Sequence, residues 1–171
     1  QKTDGSAGIP KLICQVLNPG LITSRKGVNL PDTELSVQAL TEKDHRFIEF
    51  AVEQGIDFLA LSFVRTAKDI RILKDRLREL KARPERAVIE GMKHALDRTG
   101  PLHNTQFIPV ISKIEKPQAL VNLEEILRET DMVMVARGDL GVEVELAEVA
   151  VHQKRIIHLC HEYGIPVIVD T

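Results

Sequence analysis

Two apolar runs of this chain each end in charged residues whose side chains could act together. The run from Val110 carries Lys113 and ends in Glu115, and the run from Met132 is followed by Asp139. The carboxyl ends of parallel strands meet at one edge of a sheet, which is where α/β folds carry their chemistry. Two carboxylates and a lysine at such an edge predict one small charged site.

The residue types alone leave a simpler interpretation open for each of these positions. Lys113 and Glu115 at a strand end could form an exposed ion pair of little energetic consequence. Asp139 could cap a helix, because aspartate is a preferred N-cap residue. Thr171, at the end of the last apolar run, is β-branched and would be explained by packing alone. On a strand, however, residues two apart such as Lys113 and Glu115 point to the same face.

Strands and helices alternate along the chain from residue 41 onward. Apolar runs bounded by turn signals predict strands at 56–64, 107–114, 131–136 and 166–170. Helical spacing and end signals predict helices that begin near Thr41, Ala67, Gln118 and Glu148. This alternation predicts an α/β fold with a parallel sheet. About four strands correspond to part of a (β/α)8 TIM barrel, whose whole length is roughly 250 residues.

Residues 1–30 look different from the barrel-like part that follows them. Lys11 to Leu17 is strand-like, and a second short strand could include Leu21 to Ser24. Further along, segment 81–106 is polar and charged and contains helix breakers, which predicts a surface insertion. With 171 residues and no initiator methionine, the chain is interpreted as a piece of a longer protein.

The composition argues against several classes of partner. The net charge of −2, the single tyrosine and the absence of tryptophan leave no basic surface and little area for stacking bases, so no nucleic acid is expected. No apolar run approaches the roughly 20 residues of a membrane span. Cys14 and Cys160 lie among apolar neighbours and are expected to be buried free thiols. Free thiols fit a reducing, cytoplasmic compartment, with a targeting segment ahead of residue 1 left open.

Four blocks of the sequence resemble, in order and in spacing, the core motifs of pyruvate kinase. The blocks are Ser24-Arg-Lys-Gly-Val-Asn-Leu-Pro31, Gly55-Ile-Asp-Phe-Leu-Ala-Leu-Ser-Phe-Val-Arg65, Ile111-Ser-Lys-Ile-Glu115 and Met134-Val-Ala-Arg-Gly-Asp-Leu-Gly-Val-Glu143. Gln153-Lys154 and the last run, Pro166 to Thr171, extend the similarity. It covers the chain from about Leu12, apart from 81–106. Four ordered blocks are a specific signal, whereas an isolated Arg-Gly-Asp would carry no information.

The resemblance implies a division of the chain and an activity. Residues 1–30 are expected to be the end of a small β-rich cap domain and a connector, and residues 31–171 the central part of the (β/α)8 barrel. The implied reaction is phosphoryl transfer from phosphoenolpyruvate to ADP, which gives pyruvate and ATP in glycolysis. The family also implies a homo-oligomer, a tetramer.

The resemblance also implies roles for individual residues. Lys113 matches a lysine that binds substrate and stabilises the transition state, and Glu115 and Asp139 match two ligands of a divalent cation. Such oxygen ligands suit Mg²⁺, or Mn²⁺ in its place. Gly138 and Asp139 match the backbone that holds the substrate carboxylate, and Thr171 matches the threonine beside the carbon that is protonated. The K⁺ and ADP phosphate sites of the family lie on barrel strands outside this sequence.

Two positions depart from the family pattern, and other functions stay open. Lys116 and Pro117 follow the Lys-Ile-Glu motif where the family usually has asparagine, and Asp170 replaces a small residue before Thr171. A metal-dependent lyase or aldolase acting on a pyruvate enolate would use the same kinds of metal ligand. A non-catalytic homologue of pyruvate kinase would keep the fold without the chemistry.

Overall fold

The computed structural model of the chain describes residues 13–27, 39–80 and 107–171. The chain divides into two compact units, Gln1–Leu30 and Pro31–Thr171. All helices and strands of the described residues belong to the second unit. The segment 81–106, predicted as a surface insertion, lies outside the described residues.

Residues 13–27, the described part of the first unit, form no strand. The strand predicted from Lys11 is therefore wrong over 13–17, and the one predicted at Leu21 to Ser24 is wrong as well. Cys14 is an exposed free thiol instead of the buried one expected. An apolar run becomes a strand only where a neighbouring strand pairs with it and packs against its side chains, and the run itself does not reveal that neighbour.

Four parallel strands form the sheet in the described part of the second unit. They are β1 (Leu59–Leu61), β2 (Val110–Ile114), β3 (Met132–Ala136) and β4 (Val167–Asp170). Each strand pairs with the next one along the chain, in the order β1-β2-β3-β4. This is the arrangement of consecutive strands in a (β/α)8 barrel, so the predicted fold class is confirmed.

Helices precede the sheet and connect its strands. They are α1 (Glu42–Glu53), α2 (Ala67–Glu79), α3 (Pro117–Val121), α4 (Leu123–Glu129), α5 (Arg137–Glu143) and α6 (Leu146–Tyr163). The end signals act as predicted, because Thr41 and Asp44 form a capping box at α1 and Gly164 ends α6 with a φ of 64°. The helix predicted from Gln118 is divided at Asn122 into α3 and α4. None of the described helices combines the length and the apolar composition needed to cross a bilayer.

The core of the second unit is a single cluster of apolar side chains from the sheet and the helices. Its fully buried members include Ile114 and Val135 of the sheet, Leu77 of α2 and Ile156 of α6. Cys160 of α6 belongs to the same cluster and is a free thiol, so the expectation of burial is confirmed for this cysteine. Burial raises the pKa of the Cys160 thiol to about 11, because the thiolate would lose its hydration.

A buried ion pair between Lys74 and Asp131 lies at the amino-terminal ends of β2 and β3. The ammonium group of Lys74, in α2, donates to the carbonyl oxygen of Glu129 at 2.6 Å and lies 3.2 Å from both carboxylate oxygens of Asp131. Oδ2 of Asp131 also accepts the backbone N–H of Val110 at 2.9 Å, at the start of β2. Both charged side chains are 7% exposed. Each charge therefore has hydrogen-bond partners in the interior, which is the condition under which buried charges are tolerated.

Candidate active site

The opposite, carboxyl-terminal ends of the strands bring the predicted site residues to one edge of the sheet. The parallel registers place the ends of β2, β3 and β4 within one residue of one another. Lys113 lies in β2, Glu115 directly follows that strand, Asp139 lies three residues beyond β3, and Thr171 directly follows β4. This is the edge at which barrel enzymes carry their chemistry.

Glu115 is completely buried although it carries a carboxylate. Its Oε2 accepts the backbone N–H of Phe63 at 2.8 Å. Its Oε1 lies 2.5 Å from Nζ of Lys113, and this ammonium group is its one polar partner within the described part of the chain. A buried carboxylate oxygen held only by a solvent-accessible ammonium group can also serve as a ligand of a metal ion.

Lys113 places a positive charge beside this carboxylate. Its side chain is 22% exposed, so the ammonium group is accessible from solvent while its partner is not. Nζ also lies 3.4 Å from the hydroxyl oxygen of Ser62, which follows β1. Lys113 and Glu115 thus do form an ion pair, but not the exposed pair of the simpler interpretation. The ammonium group is placed where it could contact an anion at the edge of the sheet.

Gly138 and Asp139 lie in the first turn of α5, directly after β3, and both are exposed. Among the described residues, no atom beyond its chain neighbours and its own helix backbone lies within 4 Å of the position that a side-chain carbon at Gly138 would occupy. The backbone at Gly138 is therefore open to an approaching molecule. The carboxylate of Asp139 is available as an oxygen ligand next to it.

An open groove lies between the first turn of α5, the amino-terminal half of α6 and Thr171, the residue after β4. Its lining includes Arg137, Gly138, Gln153 and Thr171. Nε of Arg137 donates to the carbonyl oxygen of Asp170 at 3.3 Å, which ties the end of β4 to α5. The carboxylate of Asp170 accepts a hydrogen bond from the backbone N–H of Thr171 at 3.0 Å. Asp170, which departs from the family pattern, is thus hydrogen-bonded to the next residue in the chain.

The predicted residues therefore fall into two groups along the edge. Lys113 and Glu115 form one group at the end of β2, while Gly138 and Thr171 line the groove beside α6. Asp139 is adjacent to Gly138 and follows β3, the strand between β2 and β4. Neighbouring parallel strands lie about 4.8 Å apart, so the ends of β2 and β4 are about 10 Å apart.

Two contacts of the site were not predicted from the sequence. The predicted strand 56–64 is shorter than expected, because β1 ends at Leu61 and Phe63 adopts a φ of 55°. Its N–H then points to Glu115, 52 residues away. Nζ of Lys116 forms an ion pair of 2.6 Å with Glu143, 27 residues away. Neither contact has a local sequence signal. The nearly continuous apolar pattern of 56–64 includes Phe63, and nothing near Lys116 in the sequence indicates a partner 27 residues away.

Glu115 and Asp139 are the carboxylates at this edge that could hold a divalent cation. Among the residues that the structure describes, no group of three or more His, Cys, Asp or Glu side chains is arranged to hold a metal. Two carboxylates nevertheless suit Mg²⁺, which is commonly bound by one or two carboxylates together with water and substrate oxygens. The completely buried carboxylate of Glu115, with only Lys113 beside its Oε1 among the described residues, is the structural observation that fits such an ion.

Comparisons with known proteins agree over nearly the whole chain. Residues 3–95 and 89–171 match the family model described as pyruvate kinase, barrel domain. Proteins named pyruvate kinase from Corynebacterium glutamicum, Thermotoga maritima and Hypocrea jecorina are each 43% identical to the chain, over 160, 152 and 154 residues respectively. The alignments cover 94%, 89% and 90% of the chain but 29%, 28% and 24% of these relatives. The chain thus spans less than a third of their length.

Proposed function

Because the chain belongs to the pyruvate kinase family, we propose that it supplies the central part of an enzyme that transfers a phosphoryl group from phosphoenolpyruvate to ADP. The products are pyruvate and ATP. The observation that carries the proposal is the completely buried carboxylate of Glu115, whose Oε1 has the ammonium group of Lys113 as its one partner among the described residues. A divalent cation and this ammonium group would together offset the buried negative charge.

Glu115 and Asp139 would hold Mg²⁺ or Mn²⁺. When bound, the cation would neutralise negative charge on the substrate oxygens. The N–H of Phe63 holds Oε2 of Glu115 at 2.8 Å, so Oε1, beside the ammonium group of Lys113, would be the oxygen that binds the cation. Asp139, exposed at the end of the next strand, would provide the second carboxylate.

Lys113 would stabilise the charge that develops during phosphoryl transfer. The bond between phosphorus and the enol oxygen of phosphoenolpyruvate breaks, a bond to a terminal oxygen of ADP forms, and the enol oxygen keeps the electron pair as an enolate. An ammonium group fixed by Glu115 at 2.5 Å and open to the edge can contact these oxygens. Such preorganised charge is the main source of catalysis in phosphoryl transfer.

Gly138 and Thr171 would bind the rest of the substrate and complete the reaction. The unobstructed backbone of Gly138 gives the substrate carboxylate access to the groove. The exposed Thr171 lines the same groove and would hold a proton beside the methylene carbon of the enolate. Transfer of a proton to that carbon converts the enolate to pyruvate.

The wider assignments are part of the same proposal. Residues 1–30 would end the cap domain, and K⁺ and the ADP phosphates would bind to strands that this sequence does not include. The enzyme would be a cytoplasmic homo-oligomer, a tetramer. These statements follow from the family resemblance.

The deciding experiment measures pyruvate release from phosphoenolpyruvate by the intact gene product with Mg²⁺ and K⁺, with and without ADP. We expect turnover that requires ADP and falls by at least about 100-fold in Glu115→Gln, because a charge-stabilising group at the reacting atoms is lost. Glu53→Gln, an exposed change in α1, is the matched control and should keep full activity. Pyruvate formation that ignores ADP would favour a lyase, and no turnover would favour a non-catalytic homologue.

A further inference from the structure

The side chain of Lys116 connects three elements that meet at the candidate site. We infer that Lys116 is a positioning residue, which holds α5 and the end of β1 in place around Glu115. The inference rests on the proposed function, because it assumes that Glu115 and Asp139 bind one cation. The family resemblance implies no role for Lys116.

The first connection is the ion pair with Glu143. Nζ of Lys116 lies 2.6 Å from Oε1 of Glu143, and the two side chains are 22% and 7% exposed. Glu143 is the last residue of α5, and Asp139 lies one helical turn before it in the same helix. The pair therefore ties the helix that carries Asp139 to the residue that directly follows Glu115. A cation at the carboxyl end of a helix also interacts favourably with the helix dipole.

The second connection is with Phe63. Nζ of Lys116 lies 5.6 Å from the centre of the Phe63 ring, within the range of a cation–π contact. Phe63 has a φ of 55°, which is strained for a residue with a bulky side chain. A strained conformation persists only where its surroundings hold it. Lys116 therefore contacts the residue whose N–H fixes Oε2 of Glu115.

Lys116 adds a positive charge beside the proposed cation site, and its ion pair with Glu143 offsets that charge. Glu143 is mostly buried and lies in direct contact with the ammonium group, so the two charges offset each other. A free lysine at this position would repel Mg²⁺, whereas a paired one does so far less. Lys116 can thus stabilise the geometry of the site without opposing the metal.

Binding of Mn²⁺ to the intact gene product, without substrate, separates a positioning role from a purely structural one. Electron paramagnetic resonance measures free Mn²⁺ directly and gives a Kd that does not depend on activity. We expect Lys116→Met and Glu143→Gln each to raise the Kd about tenfold, the usual effect of losing a group that orients a metal ligand. Lys116→Arg should lie nearer to the wild-type value than to Lys116→Met, because arginine can keep the ion pair.

The double variant Lys116→Met/Glu143→Gln keeps the test decisive if either single variant folds poorly. It leaves no unpaired buried charge, and it should bind Mn²⁺ no more weakly than either single variant, since the pair acts as a unit. Arg128→Met removes the exposed ion pair between Arg128 and Glu124, which lie one turn apart in α4. This variant is the control and should leave the Kd unchanged.

The remaining outcomes would contradict either the positioning role of Lys116 or the proposed metal site. If Glu115→Gln weakens Mn²⁺ binding while the double variant binds like the wild type, the positioning role of Lys116 is wrong and the proposed metal site stands. If Glu115→Gln binds Mn²⁺ as tightly as the wild type, the proposed metal site is wrong and the inference fails with it. A lowered unfolding midpoint with an unchanged Kd would mean that the ion pair only stabilises the fold.

Discussion

Two lysine–carboxylate pairs stand at opposite ends of the same strands, and their hydrogen bonding differs. At the amino ends, Lys74 and Asp131 each have further backbone partners, the carbonyl of Glu129 and the N–H of Val110. At the carboxyl ends, Glu115 is even more buried, yet its Oε1 has only the ammonium group of Lys113 as a partner among the described residues. We therefore expect the first pair to stabilise the fold and the second pair to leave capacity for a bound ligand.

The largest effect is expected at the amino ends. Lys74→Met leaves the carboxylate of Asp131 buried without its ion pair, which should lower the free energy of unfolding by about 3–5 kcal/mol. Urea unfolding of the intact gene product measures this loss. Lys74→Met/Asp131→Asn is the control, because asparagine keeps an acceptor for the Val110 N–H and carries no charge, so most of the stability should return. A loss below about 1 kcal/mol in the single variant would mean that the pair behaves like an exposed one.

Glu115→Gln should change the stability of the metal-free protein little and should remove its stabilisation by Mn²⁺. The variant loses a buried charge that is incompletely bonded, and Lys113 can reach water, so we expect less than about 1 kcal/mol of destabilisation without metal. The wild type should gain about 2.7 kcal/mol from Mn²⁺ at a hundredfold excess over its Kd, and the variant should gain almost nothing. Unfolding with and without Mn²⁺ tests both points. A large metal-free loss of stability would show that this carboxylate supports the fold.

Thr130→Val tests whether the amino ends depend on complete hydrogen bonding. The buried hydroxyl of Thr130 lies 2.7 Å from the carbonyl oxygen of Met132 and 2.8 Å from Oγ of Ser112. Valine has nearly the same shape, so the expected loss of about 1–3 kcal/mol comes from the unpaired polar groups. Ser112→Ala in the same background should add less than it costs alone. Pyruvate formation by the folded variant should stay at the wild-type rate.

The smallest effect is expected for the reactivity of Cys160. Its pKa of about 11 keeps the thiol protonated below about pH 9, so alkylation at pH 8 requires the core to open. Mass spectrometry should show rapid labelling of the exposed Cys14 and slow labelling of Cys160. Glu115→Gln should leave the Cys160 rate unchanged, whereas Lys74→Met should raise it. Faster labelling in Glu115→Gln would contradict the division between the two ends of the sheet.

The fold class and the local ends of the elements could be predicted from the sequence. Parallel strands and their helices have periodic apolar patterns, and the caps at Thr41 and Gly164 depend only on residues a few positions away. That Lys113, in β2, and Glu115, directly after it, lie close together follows from the same local geometry. The roles of these residues remain predictions that the variants above would test.

How deeply each charge is buried, and what it contacts, depends on packing between distant segments of the chain. Glu115 is completely buried, and the left-handed turn at Phe63 and the Lys116–Glu143 pair join residues 52 and 27 positions apart. The same limit explains the wrong prediction at 13–17, where an apolar run lies exposed. Local patterns depend on neighbours in the chain, whereas burial and pairing depend on distant segments that no local window contains.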